Sequence, residues 1–201
     1  MSKDELIDRL HRIYAAVDEA VEGDISKFPP KVISDAKGFA LYQDFLGGLN
    51  ASQVANLAHS LVHNIANLHD HLKRWARKNG HDPKRIDQAL ETSAPLQIIK
   101  DLSNNDKHGY PPRNGGHSGK APKLVEAKRV MRLTTAAKAG SFVGMILTPS
   151  GPKQIGDGSS AVIVTGQIVD ADGKVVGDLY DISLQAVVAW EQELKSSGVI
   201  T

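Results

Sequence analysis

The chain has 201 residues, of which 41% are hydrophobic and 23% charged, a composition typical of one globular domain. It contains no cysteine, which excludes disulfides and thiol chemistry. The net charge of +1 conceals an uneven distribution, because residues 73–138 hold 15 basic and 6 acidic side chains. Such a cationic segment attracts phosphate polymers or acidic partners, or forms a solvated face beside acidic parts of the same fold.

The N-terminus has no apolar signal core, and no apolar run is long enough to cross a bilayer. We therefore expect a cytoplasmic protein without a membrane segment.

Helical periodicity dominates the first half of the chain. Ser2 and Glu5 match a capping box, which predicts a first helix ending near Val21. A second helix is predicted from Ser34 to Leu49. The third has the clearest pattern, because apolar residues from Val54 to Trp75 recur at steps of four and three. Its opposite face carries a polar stripe of His59, His63, Asn67, Asp70, Arg74 and Arg77.

The second half changes period. A short helix over about Lys84–Glu91 precedes a helix that ends near His108, and a loop rich in proline and glycine follows. Four runs rich in Val, Ile and Thr then predict a small antiparallel sheet, over residues 129–135, 142–148, 161–169 and 174–179. A hairpin turn at Asp170–Gly173 joins the last two, and a final helix begins at Asp181 or Ser183.

These elements predict an α+β fold that is mainly α. We expect a single domain over 1–201, with a helical bundle formed by residues 1–108 and 181–197. A loop over 109–126 leads to an antiparallel β element over 127–180, inserted before the C-terminal helix.

The first candidate site lies at the end of the helix before the loop. Asp101, Asn105 and His108 are spaced four and three residues apart, so they share one helix face. A histidine with a pKa near 6.5 transfers protons at neutral pH, and a carboxylate or amide orients it or the substrate.

In this hypothesis His108, Asp101 and Asn105 are catalytic. The cations that bind substrate phosphate are Arg74, Arg77 and Lys107. The 2′-hydroxyl of RNA serves as the nucleophile, so we expect no metal or other cofactor. The alternative is a polar helix end whose histidine caps the last carbonyls.

A metal site is an alternative on the third helix. His59 and His63 stand at i and i+4, with Asp70 two turns further along, and imidazole and carboxylate groups are metal ligands. His108 or Asp101 from the facing helix is a further candidate ligand. The competing interpretation is a polar helix face whose imidazoles bond to carboxylates or backbone.

At these residues the chain resembles a known pattern. The run Lys100–His108, after a long helix with a tryptophan, is similar to one in small uncharacterised bacterial proteins. It also distantly resembles the HEPN superfamily, helical bundles found in toxin–antitoxin, phage-defence and RNA-processing systems. HEPN ribonucleases carry Arg, a polar residue, four to six further residues and His. Here Lys100 and Asp101 are followed by six residues and His108, with lysine in place of the arginine.

The resemblance implies a HEPN-like helical protein that binds and cleaves RNA through a polar cleft between helices. Two alternatives stay open from the residues themselves. One is a non-enzymatic interaction module that forms a homodimer or binds a protein partner, and the other is the metal site on His59, His63 and Asp70.

Overall fold

The structure, a computed structural model, describes residues 2–35, 38–109, 113–148 and 151–200. These residues form five α-helices: α1 Lys3–Glu19, α2 Ala51–Lys78, α3 Lys84–Thr92, α4 Ala94–His108 and α5 Leu179–Ser196. They also form eight strands: β1 Val21–Glu22, β2 Lys31–Asp35, β3 Gly38–Tyr42, β4 Lys123–Thr134, β5 Val143–Thr148, β6 Gly151–Gly156, β7 Ser159–Val169 and β8 Val175–Asp178. In this described part of the chain, none of the helices combines the length and the apolar character needed to cross a bilayer.

Helix starts follow local capping chemistry. The hydroxyl of Ser2 accepts a hydrogen bond from the backbone N–H of Glu5 at 3.1 Å, while the Glu5 carboxylate accepts from the N–H of Ser2 at 2.6 Å. The capping box predicted for α1 is therefore confirmed. Asn50 and Gln53 form the equivalent pair at the start of α2.

The main sheet is organised around β7. This strand pairs antiparallel with β4 on one edge and with β1 and β8 on the other. Val162, Val164 and Ile168 of β7 are fully buried, and α2 and α5 both contact the strand. Burial of these apolar side chains removes them from water and joins the sheet to the helices in one core.

The prediction of a mainly helical bundle with a small β appendage is therefore wrong. The fold is a mixed α/β arrangement in which a four-stranded antiparallel sheet is part of the main core. The sequence pattern missed this because Val21–Glu22 is too short to register as a strand, yet it pairs with β7.

A second correction concerns residues 34–49. In place of the predicted helix, β2 and β3 form an antiparallel hairpin in which Ser34 pairs with Phe39. The β-branched residues of Lys31–Asp35 favour a strand, and the apolar residues that follow fit a strand period as well as a helical one. Residues 36 and 37 lie outside the described residues.

The C-terminal elements mostly match their predictions. The turn at Asp170–Gly173 is confirmed, because the N–H of Gly173 donates to the carbonyl of Asp170 at 3.1 Å. The β4 strand begins at Lys123, four residues before the predicted β element. Helix α5 begins at Leu179, and the Asp178 carboxylate caps its first amides. The β6 strand was not predicted and forms a separate two-stranded sheet with β5.

Helix α2 positions the candidate site. It contacts α1, α4 and α5, and its apolar stripe from Val54 to Trp75 is buried. The indole N–H of Trp190 in α5 donates to the carbonyl of Ile65 at 3.2 Å and fixes α5 against the middle of α2. The polar face of α2 is consequently held beside α4.

Candidate metal centre

The polar edges of α2 and α4 meet along a line that we call the α2–α4 seam. Four contacts define it: His63 with Ser103 and with Asp106, Asn67 with Lys107, and Asp70 with Lys100. The polar stripe of α2 therefore faces a polar stripe of α4. The α4 residues in the seam, however, differ from those predicted to be catalytic.

One end of the seam brings two imidazoles to a single carboxylate. Nε2 of His63 lies 2.6 Å from one oxygen of Asp106, and Nδ1 of His59 lies 3.2 Å from the other. The ligand atoms of these three residues all lie within 4.8 Å of one another. We call His59, His63 and Asp106 the His–His–Asp group. Two imidazoles and one carboxylate are a donor set that divalent transition metals accept.

The local sequence places each member of the group. His59 and His63 are one turn apart on the same face of α2, and their rings are nearly parallel at 29°. Asp106 comes from the last turns of α4. Ser103, one turn earlier on α4 and fully buried, has its hydroxyl 2.8 Å from Nδ1 of His63. This contact fixes the orientation of the His63 ring and keeps Nε2 turned toward Asp106.

A cleft opens beside the group. Its volume is about 310 Å³, and its walls include His59, Asn105, Asp106 and Lys123. Such a volume is at the lower end of the range found for small-molecule sites. The side chains of His59 and Asp106 are 39% and 38% exposed, so a molecule in the cleft can reach them.

Asp101 has a different environment from the predicted one. Its buried carboxylate accepts hydrogen bonds from the N–H of His117 at 2.9 Å, and from the N–H and hydroxyl of Ser118 at 2.8 and 2.7 Å. Asp101 therefore anchors the loop after α4. It does not orient His108, because seven residues of helix separate the two by about 10 Å along the axis.

Asn105 and His108 lie on the same side of α4 as Asp101. The amide of Asn105 donates to the carbonyl of Pro122 at 3.2 Å, and Asn105 also lines the cleft. His108 is exposed in the last turn of α4. Asp101 and Asn105 of the predicted catalytic stripe thus face the loop, while the seam is formed by the α4 face about 100–160° away around the helix.

Asp70 is not close enough to serve as a ligand beside His63. Its carboxylate lies 3.1 Å from Nδ1 of His69 and 3.5 Å from the Lys100 ammonium. Burial raises the pKa of Asp70, but Lys100 and His69 outweigh burial and hold that pKa below its usual value. In the described residues Asp106 takes the position that the sequence analysis gave to Asp70.

The predicted phosphate-binding residues are dispersed. Lys107 donates from its ammonium to the side-chain oxygen of Asn67 at 2.9 Å and is part of the seam. Arg74 lies with Arg9 and Arg12 of α1 around a separate pocket. Arg77 is exposed near the end of α2. The structure therefore does not gather these three cations around His108.

Ser103 and Asp106 were missed because their relation to His63 depends on the packing of α2 against α4. Helical spacing identifies which residues share a face, but not which face of α4 meets α2. The available signal was the spacing of Ser103 and Asp106 themselves, three residues apart on one face.

No protein-family model matches the chain, and neither a curated protein nor a solved structure is similar enough to count as a match. The His–His–Asp group and its cleft are therefore the features from which we infer a function.

Proposed function

We propose that this protein binds a divalent transition-metal ion through His59, His63 and Asp106, and that the bound ion acts on a small anionic substrate in the adjoining cleft. The observation that carries this proposal is the convergence of two imidazole nitrogens and a carboxylate within 4.8 Å, with His59 and Asp106 in the wall of an open cleft. This replaces our expectation of a protein without a cofactor.

The spacing of the donor atoms supports a metal. Ligand atoms about 2.0–2.2 Å from a tetrahedral zinc ion lie about 3.4 Å from one another. The two imidazole–carboxylate distances in the group are 2.6 and 3.2 Å, and all its ligand atoms lie within 4.8 Å of one another, so the donors are already close to the spacing that an ion requires.

Ser103 supports the proposal through the other nitrogen of His63. Neutral imidazole has one N–H, and Nδ1 must carry it when Nε2 is a metal ligand. The Ser103 hydroxyl, 2.8 Å from Nδ1, accepts that hydrogen bond. Metal-bound histidines commonly have such a partner, which fixes the tautomer and the ring orientation.

The cleft supports a hydrolytic reaction. Three protein ligands leave coordination positions open, and a bound zinc ion lowers the pKa of a coordinated water and polarises a carbonyl or phosphoryl group. The chain itself supplies Lys123, whose ammonium attracts an anionic substrate, and Asn105, whose side chain borders the same space. The role of these two side chains is to bind and orient the substrate.

The first experiment measures metal binding. Purified protein, stripped with chelator and dialysed against Zn²⁺, is expected to retain one zinc ion per chain. The His63→Ala variant is expected to lose it, while His11→Ala, which removes an exposed histidine of α1, retains it. Equal zinc content in the native chain and in His63→Ala would overturn the proposal.

We also propose a second candidate, RNA binding and cleavage without a metal, as the HEPN resemblance implies. Lys107 is an exposed cation of the α2–α4 seam whose partner Asn67 is uncharged, and this favours an anionic polymer as the ligand. Incubation with RNA in the presence of EDTA separates the candidates. Cleavage that persists in EDTA and is lost in His108→Ala supports the second. Cleavage that EDTA abolishes and His63→Ala lacks supports the first.

A further inference from the structure

A second polar surface lies between α1 and α2, away from the His–His–Asp group. Arg9 and Arg12 of α1 and Arg74 of α2 line a pocket of about 260 Å³, and we call these three residues the arginine cluster. A smaller adjoining pocket of about 50 Å³ is bordered by Arg9, Arg12, Asn64, Asn67 and His71. The two arginines of α1 are common to both pockets.

Carboxylates border the arginine cluster, but within the described residues they do not pair with it. Within the described residues, none of its three guanidinium groups makes a hydrogen bond or an ion pair. Glu5 and Asp8 also border the larger pocket, but the Glu5 carboxylate accepts a hydrogen bond from the N–H of Ser2 at 2.6 Å. Three cations thus face two carboxylates, one of which caps a helix.

His71 provides an independent observation at the same place. Its Nδ1 atom is buried and has no hydrogen-bond partner among the described residues. An unsatisfied buried polar atom costs free energy, and a ligand that bonds to it removes this cost. Because His71 borders the smaller pocket, such a ligand has a position from which to reach the imidazole.

The charges around His71 indicate the chemistry of that ligand. Burial lowers the pKa of His71, the cations of Arg9, Arg74 and Arg12 lower it further, and only Asp70 raises it. An anion placed among these cations offsets their repulsion of the imidazolium. Phosphate suits the position, since its oxygens accept hydrogen bonds from several guanidinium groups at once.

We propose that Arg9, Arg12, Arg74 and His71 form a binding site for a phosphate group. The site is distinct from the metal centre, because His71 stands eight residues beyond His63 on α2, about 12 Å along the helix axis. The phosphate belongs either to a free phosphorylated small molecule or to the backbone of an RNA strand that extends along the polar face of α2.

The experiment follows the imidazole resonances of His71 by NMR while inorganic phosphate is added, with EDTA present throughout. Saturable shifts at His71 and a rise in its pKa are expected. Arg9→Gln combined with Arg12→Gln is expected to weaken phosphate binding by at least about tenfold, because charge-assisted hydrogen bonds are lost. Arg77→Gln removes an exposed arginine of α2 that lies outside both pockets, and this variant is expected to bind phosphate as the native chain does.

Further experiments test the effect of charge in the pocket and the source of the phosphate. Asp8→Asn removes a carboxylate from the pocket and is expected to strengthen binding. Competition between a nucleoside monophosphate and a short single-stranded RNA shows which source binds more tightly. Three outcomes would overturn the proposal. The shifts at His71 do not saturate, chloride at equal ionic strength reproduces them, or they persist in the Arg9→Gln and Arg12→Gln double variant. Binding in EDTA and in His63→Ala is expected to be unchanged, so the result is independent of the metal proposal.

Discussion

The hydroxyl of Ser103 lies 2.8 Å from Nδ1 of His63, on the opposite side of the ring from Asp106. A serine hydroxyl both donates and accepts, so it satisfies Nδ1 in either tautomer of the imidazole. When Nε2 donates to Asp106, Ser103 donates to Nδ1. When Nε2 binds a metal, Ser103 accepts from Nδ1–H. The same side chain therefore serves both states of the site.

Ser103→Ala is accordingly expected to weaken zinc binding. The variant loses the partner of Nδ1, so the His63 ring is less well oriented, and the expected loss of affinity is roughly 10- to 100-fold. Calorimetric titration with Zn²⁺ measures it. Ser60→Ala is the matched control, since Ser60 is an exposed serine of α2 that bonds only to Asn64 in the described residues. Equal affinities in the two variants would show that Ser103 does not act on the metal site.

Asp101→Asn tests whether Asp101 is a structural anchor. In the native chain the Asp101 carboxylate accepts from the N–H groups of His117 and Ser118. Asparagine replaces one of its oxygens with an NH₂ group, which cannot accept, so buried hydrogen bonds are lost. We expect the free energy of unfolding to fall by about 2–4 kcal/mol. Asp172→Asn, in an exposed turn, is expected to change it by less than about 0.5 kcal/mol. Denaturant titration gives both values, and hydrogen exchange at the amides of His117 and Ser118 is expected to accelerate only in Asp101→Asn.

Alanine substitutions at two glycines of the loop after α4 distinguish the cost of backbone strain from the cost of crowding against Asp101. Gly116 and Gly119 have φ of +75° and +68°, so alanine at either position costs about 1–2 kcal/mol. A Cβ at residue 116 would lie 2.5 Å from Cγ of Asp101, whereas one at residue 119 has no heavy atom within 4 Å. Gly116→Ala is therefore expected to destabilise the fold by a further 1–3 kcal/mol, roughly the cost of overpacking. Equal unfolding free energies for the two variants would mean that Asp101 does not approach Gly116 closely.

Tyr14 provides a pH-dependent contact between α1 and α5. Its hydroxyl donates to Glu191 at 2.5 Å, and burial, together with this carboxylate, raises the pKa of Tyr14 from 10.0 to about 12. The folded chain holds the phenol proton more tightly than the unfolded chain does. The stabilisation is therefore present below pH 10 and is lost as the pH rises through 12.

The near-ultraviolet absorbance of phenolate measures this titration. Tyr14→Phe is expected to remove a step near pH 12, while Tyr42→Phe, which changes an exposed tyrosine of β3, leaves that step in place. A curve with the same step near pH 12 in both variants would contradict the assignment.

The parts of the fold that could be predicted from sequence are those determined by local chemistry. Helix α2 was identified because its apolar stripe from Val54 to Trp75 is long and regular, and the structure buries that stripe. The cap of α1 and the turn at Asp170–Gly173 likewise depend on neighbouring residues. In contrast, the apolar residues of 34–49 are compatible with two periods, and pairing between β2 and β3 decides the outcome.

At the candidate site, prediction from sequence is limited by the packing of one helix against another. His59 and His63 could be proposed because both lie on one face of α2, but their carboxylate partner is set by how α4 packs. Asp101 was assigned to catalysis because it shares a stripe with Asn105 and His108. Its real partners come from residues 16 and 17 positions later in the chain, which no helical spacing indicates.

The most direct measurement of the central claim is X-ray absorption spectroscopy of the zinc-loaded protein. We expect two imidazole nitrogens at about 2.0–2.1 Å and one carboxylate oxygen at about 2.0–2.2 Å from the metal. The His63→Ala variant should show one imidazole if it retains any zinc. A native spectrum without imidazole scattering, or one that His63→Ala reproduces unchanged, would contradict the assignment of His59, His63 and Asp106 as the metal ligands.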